Sequence, residues 1–231
     1  MNSRKKDAQR AGLLYLAFIV TSIFSGVVRS RLIVLEDASL TADLLKNSMW
    51  LLRISVIVDL VSAVLFLLAA WALYVLLKRV NQNFALLFLL LNAAGVAVQC
   101  ISLLFLLVPM LINGSADFQR AFQPDQLNTL NLLFYNLHKS GFMIAQIFYG
   151  TWLLPLGLLV YKSGFLPKGL GVLLMADFVS VMIWFFQFFL LPEYDIITYP
   201  GLAISFIAEF SLSLWLIIKR VKEQEPVSLV S

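Results

Sequence analysis

Three carboxylic acids stand inside long apolar stretches of this 231-residue chain: Asp59, Asp177 and Glu209. The bases that could answer them, Arg29, Arg53, His138 and Lys139, lie in or beside similar stretches. Buried acids can carry a proton or a cation, and an arginine can hold an anionic group. The same residues can also pair with one another and lock the register of neighbouring helices. A charge at the centre of a bilayer costs at least ~2.5–3.5 kcal/mol on insertion scales, so each group needs a partner or a water-filled space. Arg53 and Asp59 are six residues apart, about 120° round a helix, which suits each of them to a partner on another helix.

Catalytic chemistry finds little support in these residue types. The chain has one histidine, His138, and one cysteine, Cys100. Three or four convergent ligands for zinc, or two histidines for a haem, are therefore not on offer, and no resident cofactor is expected. Asp59 and Asp177 bring an aspartyl dyad to mind, but their flanks "VDL" and "ADF" lack a protease signature. His138 is two residues from Ser140 on the same helix and points elsewhere, so there is no nucleophile–base pair. A non-catalytic role is expected.

The elements that must position these groups are transmembrane helices. The chain is 61% hydrophobic and 13% charged, against about 45–50% and about 25% in soluble domains, and its mean hydropathy is +0.91. A run of ~20 apolar residues spans the hydrocarbon core. Six such runs occur, at about 12–34, 49–77, 84–112, 139–161, 166–191 and 201–221. Alternating ten-residue segments of a β-barrel are absent. The expected class is all-α, a single polytopic bundle of six spans over residues 1–231. The first span is long and shows no small-x-small site before Arg29, so it is expected to be retained rather than cleaved.

Lys and Arg placement predicts orientation. Eleven fall on one side: Arg4, Lys5, Lys6, Arg10, Lys78, Arg79, Lys162, Lys168, Lys219, Arg220 and Lys222. Six fall on the other: Arg29, Arg31, Lys46, Arg53, Arg120 and Lys139. Glu36, Asp37, Asp43, Asp117, Asp125, Glu193 and Asp195 join that second group. Both termini are thus expected in the cytoplasm of a multi-pass protein of the cell membrane. The net charge of +4 follows from topology, and no nucleic-acid patch is present.

Polar residues within the spans recur at i, i+3, i+7 and i+10, one face of a helix. The stripes are Ser22, Ser25 and Arg29; Ser55, Asp59 and Ser62; Asn92, Gly95, Gln99 and Ser102; His138 with, somewhat off the same line, Gln146 and Tyr149; Asp177, Ser180, Trp184 and Gln187; and Ser205, Glu209 and Ser213. All six faces are expected to turn inward. Asp59 lies ~16 Å and Glu209 ~12 Å from the outer ends of their spans. The expectation is a polar cavity, open outward and closed toward the cytoplasm, with Arg53, Asp59, Glu209, His138, Arg29, Gln99 and Asp177 as candidate ligand-binding residues.

The tetrapeptide Lys-Ser-Gly-Phe occurs at 139–142 and again at 162–165. The second copy, followed by Pro167, reads as a tight turn with Gly164 as the left-handed helix terminator. The first reads as the inside of a continuing helix, with Ser140 and Gly141 allowing close packing. Residues 125–137 read as its amphipathic lead-in, with Leu127, Leu130, Phe134 and Leu137 marking an apolar side.

Five segments carry a family resemblance: "RAGLLYL" at 10–16, "LLRISVIVDL" at 51–60, "ALYVLLKRVN" at 72–81, "VYKSGFLPKGLGVLL" at 160–174 and "IAEFSLSLWLIIKRV" at 207–221. Together they resemble a family of bacterial six-helix membrane proteins known only as a domain of unknown function. The resemblance implies matching positions at Arg53, Asp59, Ser163, Gly164, Pro167, Gly171, Glu209 and Trp215. Asn92 stands where relatives tend to carry arginine, and Asp177 where they tend to have a small residue. The fold is implied, and no activity. The expected function is binding or transport of a small solute or ion. The alternatives are a structural or signalling membrane subunit and a lipid-modifying membrane enzyme. The expected partners are the lipid bilayer and that solute; the sequence names no protein partner.

Overall fold

Each apolar run is a helix in the computed structural model, which describes residues 3–35, 37–46 and 48–218. The six long helices are α1 (Ser3–Leu32), α3 (Met49–Leu77), α4 (Gln82–Gly114), α6 (Pro124–Lys162), α7 (Lys168–Leu190) and α8 (Tyr199–Ile218). All six are long and apolar enough to cross a membrane. Two short helices, α2 (Ala38–Lys46) and α5 (Ala116–Ala121), and one 3-10 turn (Asp195–Thr198) lie at the end of the bundle away from the termini. Glu36, Lys219, Arg220 and Lys222, used above for orientation, lie outside the described residues, as do residues 219–221 of the sixth predicted span.

The long helices form a closed ring in chain order. Helix α1 packs on α3, α3 on α4, α4 on α6, α6 on α7, α7 on α8, and α8 returns to α1. The stripe that each helix buries explains the ring. In α3 the buried stripe runs through Leu52, Ser55, Asp59, Ser62, Phe66, Ala69, Leu73 and Leu76, with Val56, Ala63, Ala70 and Leu77 buried along its edge. The stripe's alternating spacing of three and four is that of left-handed helix packing. The opposite stripe, Ile57, Val61, Val64, Leu68 and Trp71, is exposed and apolar, as a lipid-facing side must be. Helix α4 repeats the pattern with Ala85, Phe88, Asn92, Gly95, Gln99, Ser102, Leu106 and Pro109.

These stripes change character along their length. In α3 the polar residues occupy the half away from the termini, and Phe66, Ala69, Leu73 and Leu76 fill the half near them. There the ring closes on an aromatic plug. The Phe18 and Phe66 rings stack at 3.9 Å, and Trp152 meets Phe66 edge-on at 5.0 Å. Tyr15 and Phe88 flank the same indole at 6.1 and 6.0 Å. Trp152 is fully buried, and aromatic contacts of this kind add about 0.5–1.5 kcal/mol each beyond burial.

The two KSGF copies differ structurally. Gly164 has φ 72° and ends α6, while Ser163 Oγ accepts the Leu166 N–H at 3.1 Å. Pro167 sits just ahead of α7, at its N-cap rather than inside its first turn. A left-handed residue bearing a Cβ is strained by roughly 1–2 kcal/mol. Gly164→Ala is therefore expected to cost about that much, with Gly164→Asn in between, as read from unfolding midpoints in mixed micelles. The first copy is internal to α6, where Gly141 lies against Ser102 of α4.

Helix α6 begins at Pro124, next to the start of the helical lead-in expected at about residue 125. Its 39 residues make it ~58 Å long at 1.5 Å per residue, well beyond the ~30 Å hydrocarbon core. The residues it buries there are Leu127, Asn131, Tyr135 and His138, whereas Leu133 and Leu137 are exposed. Of the side read from the sequence as apolar, Leu127 is buried, Leu130 and Phe134 are half-buried and Leu137 is exposed, so that side turns only partly into the bundle.

Candidate functional site

Ten of the candidate stripe residues lie at or near two adjoining cavities in the half of the bundle away from the termini. The outer cavity, about 300 Å³, is lined by Ser22, Arg29, Asp59, Gln99, Tyr135, His138 and Lys139, among others. The deeper one, about 220 Å³, is lined by Gln99, Gln146, Tyr149, Trp184, Ser205 and Glu209 with several aromatic and aliphatic side chains. Ser22, Gln99 and Phe142 line both, so the two spaces adjoin. The aromatic plug lies beyond Tyr149, and Tyr149 itself touches Phe66 at 5.1 Å between ring centres.

The charges of the outer cavity are organised from α1 and α3. Arg29 forms an ion pair with Asp59 and donates a second bond to Ser25 Oγ at 2.6 Å. Ser25 in turn donates to the Ser55 carbonyl at 3.0 Å, stitching α1 to α3. Asp59 is buried, whereas the Arg29 side chain is 18% exposed and so still reaches the cavity. His138 is held through Nδ1, 3.1 Å from the Ser102 carbonyl. Lys139, next in sequence, is exposed at the cavity mouth. A guanidinium, an imidazole and an ammonium thus converge on one opening with one carboxylate among them. This is a setting for a negatively charged or hydrogen-bond-accepting group.

The deeper cavity has no basic residue in its lining and one acid, Glu209. Glu209 reaches it from α8, one helical turn beyond Ser205. Ser205 donates to the fully buried Asp177 of α7. Asp177 and Glu209 are close enough for their charges to interact, and the Tyr15 ring stands beside Glu209. Tyr149 donates to Gln99 Oε1 at 2.6 Å, which orients that amide at the junction of the two spaces. Two neighbouring carboxyls favour a proton or a cation between them.

Other candidates are placed elsewhere. Arg53 is exposed and lines a third cavity, between α2, α3, α4 and α6. Asp177 lies behind Ser205 and lines neither cavity. Gln187 donates to the Leu191 carbonyl at 3.1 Å and finishes α7. Ser55, Ser102, Ser180 and Ser213 bond carbonyls of their own helices, a local satisfaction that lets small polar residues pack between helices. Cys100 is a free thiol. Asn128, Asn131 and Tyr135 were missed as site residues. They stand at i, i+3 and i+7 with His138 at i+10, so the face rule applied elsewhere would have found them.

A ring of six long apolar helices around a polar cleft closed at one end defines a multi-pass α-helical membrane protein. The chain belongs to the family described as a domain of unknown function, DUF4386, whose family model matches residues 10–219. It is also 33% identical over 100 residues to an uncharacterized protein of Archaeoglobus fulgidus. That match takes in 41% of this chain and 53% of the relative, so the chain spans about half of that protein's length. No solved structure matches the chain.

Proposed function

We propose that this protein binds a small polar solute or ion in the cleft of its helix ring, as a carrier or receptor of that solute. The observation that carries the reading is the pair of adjoining cavities with different polar linings, the Arg29–Asp59 pair, His138 and Lys139 at the mouth and Glu209 in depth. A solute with an anionic group and a protonated or hydrogen-bond-donating group fits both ends. The lysine and arginine asymmetry supports cytoplasmic termini, which would turn the mouth outward. The Arg29–Asp59 pair supports a second reading, a structural or signalling subunit in which charges only hold helices together.

The test is thermal stability of the purified protein across a panel of amino acids, organic acids, amines and inorganic ions. Wild type runs beside Glu209→Gln and Lys139→Gln. A compound that raises the wild-type midpoint and loses its effect in both variants supports the cleft as its site. If no compound stabilises the wild type while Glu209→Gln only melts earlier, the carboxylate is a strut and the second reading takes over.

A further inference from the structure

We propose that the cavity between α2, α3, α4 and α6 is a separate site for a phosphate anion that carries neighbouring hydroxyls, the chemistry of a glycerophosphate. Its volume is about 360 Å³, larger than either cavity of the cleft. It is lined by one cation, Arg53, and by Asn113, Asn128, Asn131 and Tyr135, with no acid among its lining residues. Arg53 has no ion-pair partner among the described residues. A guanidinium without a carboxylate, set beside amide and phenol groups, is suited to forked binding of an oxyanion.

Two buried polar atoms make this more than a charged dent in the surface. Asn131 is 8% exposed and Tyr135 1% exposed, and both line the cavity. The Asn131 Oδ1 and the Tyr135 hydroxyl have no hydrogen-bond partner among the described residues. Buried polar groups are nearly always satisfied, so two orphans on one wall point to something that satisfies them. Asn131 Oδ1 accepts, and its Nδ2 is turned toward Asn113 Oδ1 at 3.5 Å. A bare oxyanion would answer Arg53 and the phenol but leave that acceptor empty. A hydroxyl beside the phosphate fills it.

Depth narrows the source. Arg53 is one turn into α3, just past the exposed Trp50, and Asn128 and Asn131 fall in the first two turns of the overlong α6. These positions sit at headgroup level, where tryptophan and arginine gather. The same chemistry is available from a phosphatidylglycerol headgroup or from free glycerol phosphate. Tyr135 lines this cavity and the outer cavity of the cleft alike, yet the proposal does not rest on the cleft binding anything.

The experiment places wild type, Arg53→Gln, Tyr135→Phe and Arg120→Gln in phosphatidylcholine nanodiscs. The additions are phosphatidylglycerol in the bilayer, or glycerol 3-phosphate in solution. Phosphatidylglycerol is expected to raise the wild-type unfolding midpoint by about 2–4 °C. The rise should vanish in Arg53→Gln, shrink in Tyr135→Phe and persist in Arg120→Gln, a charge that does not line the cavity. A rise with glycerol 3-phosphate alone, lost in Arg53→Gln, supports the site with a free solute as its source. Equal rises in Arg53→Gln and wild type, or no rise with either addition, overturn the proposal. Should Arg53→Gln fail to fold, Tyr135→Phe decides by the same comparison.

Discussion

Gly171→Val is expected to prevent accumulation of the folded protein, and Gly171→Ala to lower its stability by about 1–3 kcal/mol, the usual range for forced overpacking. Gly171 opens α7 where it crosses α6. A Cβ built there would stand 2.6 Å from the Tyr161 backbone nitrogen and 2.7 Å from the Gly157 carbonyl oxygen. Both are backbone atoms, so no side-chain rotation relieves the clash, and the helices must separate. The facing residue, Gly157, is equally tight, with the Gly171 carbonyl 2.9 Å from its own hypothetical Cβ. Close approach of backbones through paired small residues is how membrane helices gain packing without a hydrophobic driving force between them. Gly169→Ala on the same helix is the internal control, because nothing lies within 4 Å of a Cβ there. That variant should be neutral or slightly stabilising, since alanine outranks glycine in helices by up to ~1 kcal/mol. Expression level and unfolding midpoints of the three variants check the set; equal losses at 169 and 171 would remove the crossing as the cause.

The second large effect is expected at the ion pair. Asp59→Ala should destabilise the protein by about 3 kcal/mol, the lower end for breaking a buried pair. It leaves the Arg29 guanidinium inside the bundle with Ser25 as its remaining protein partner among the bonds that the structure shows. The lower end applies because Arg29 borders the cavity and water can reach it. The double variant Arg29→Met with Asp59→Leu should recover most of that loss, because two apolar side chains replace the pair without orphaning a charge. A double-mutant cycle on the unfolding midpoint measures the coupling. The double variant also separates the two readings of the cleft. If the pair only fixes α1 against α3, any solute that stabilises the wild type still stabilises the double variant. If the pair belongs to the solute site, the fold returns and the solute response does not.

Spans were legible because lipid demands long apolar runs, and that demand is local. The second span was expected at 49–77 and is Met49–Leu77; the fifth was expected at 166–191 and is Lys168–Leu190. The fourth span was expected at 139–161 on a helix already running from about Asp125, and α6 begins at Pro124. Hydropathy alone does not mark those first turns, and the helical spacing of Leu127, Leu130, Phe134 and Leu137 is what made them legible. The inward faces were legible too, since a polar side chain facing lipid is costly: Ser55, Asp59, Ser62, Asn92, Gln99 and Ser102 are all buried. Pairing was not. Arg29 and Arg53 read alike in the sequence, each an arginine near the same end of a span. Only the tertiary structure sends Arg29 to Asp59 and leaves Arg53 facing a cavity of its own.

What the chain by itself determined, then, is the six long apolar helices and the face on which most of their polar residues sit. These follow from helical period and the thickness of a bilayer, which act within one segment. The tertiary structure alone decided the closed ring order, the meeting of Asp177 with Ser205 and Glu209, and the division of the polar space into a cleft and a separate Arg53 cavity. Those depend on how faces from segments far apart in sequence fit together at close range, and no single helix's pattern encodes its neighbour.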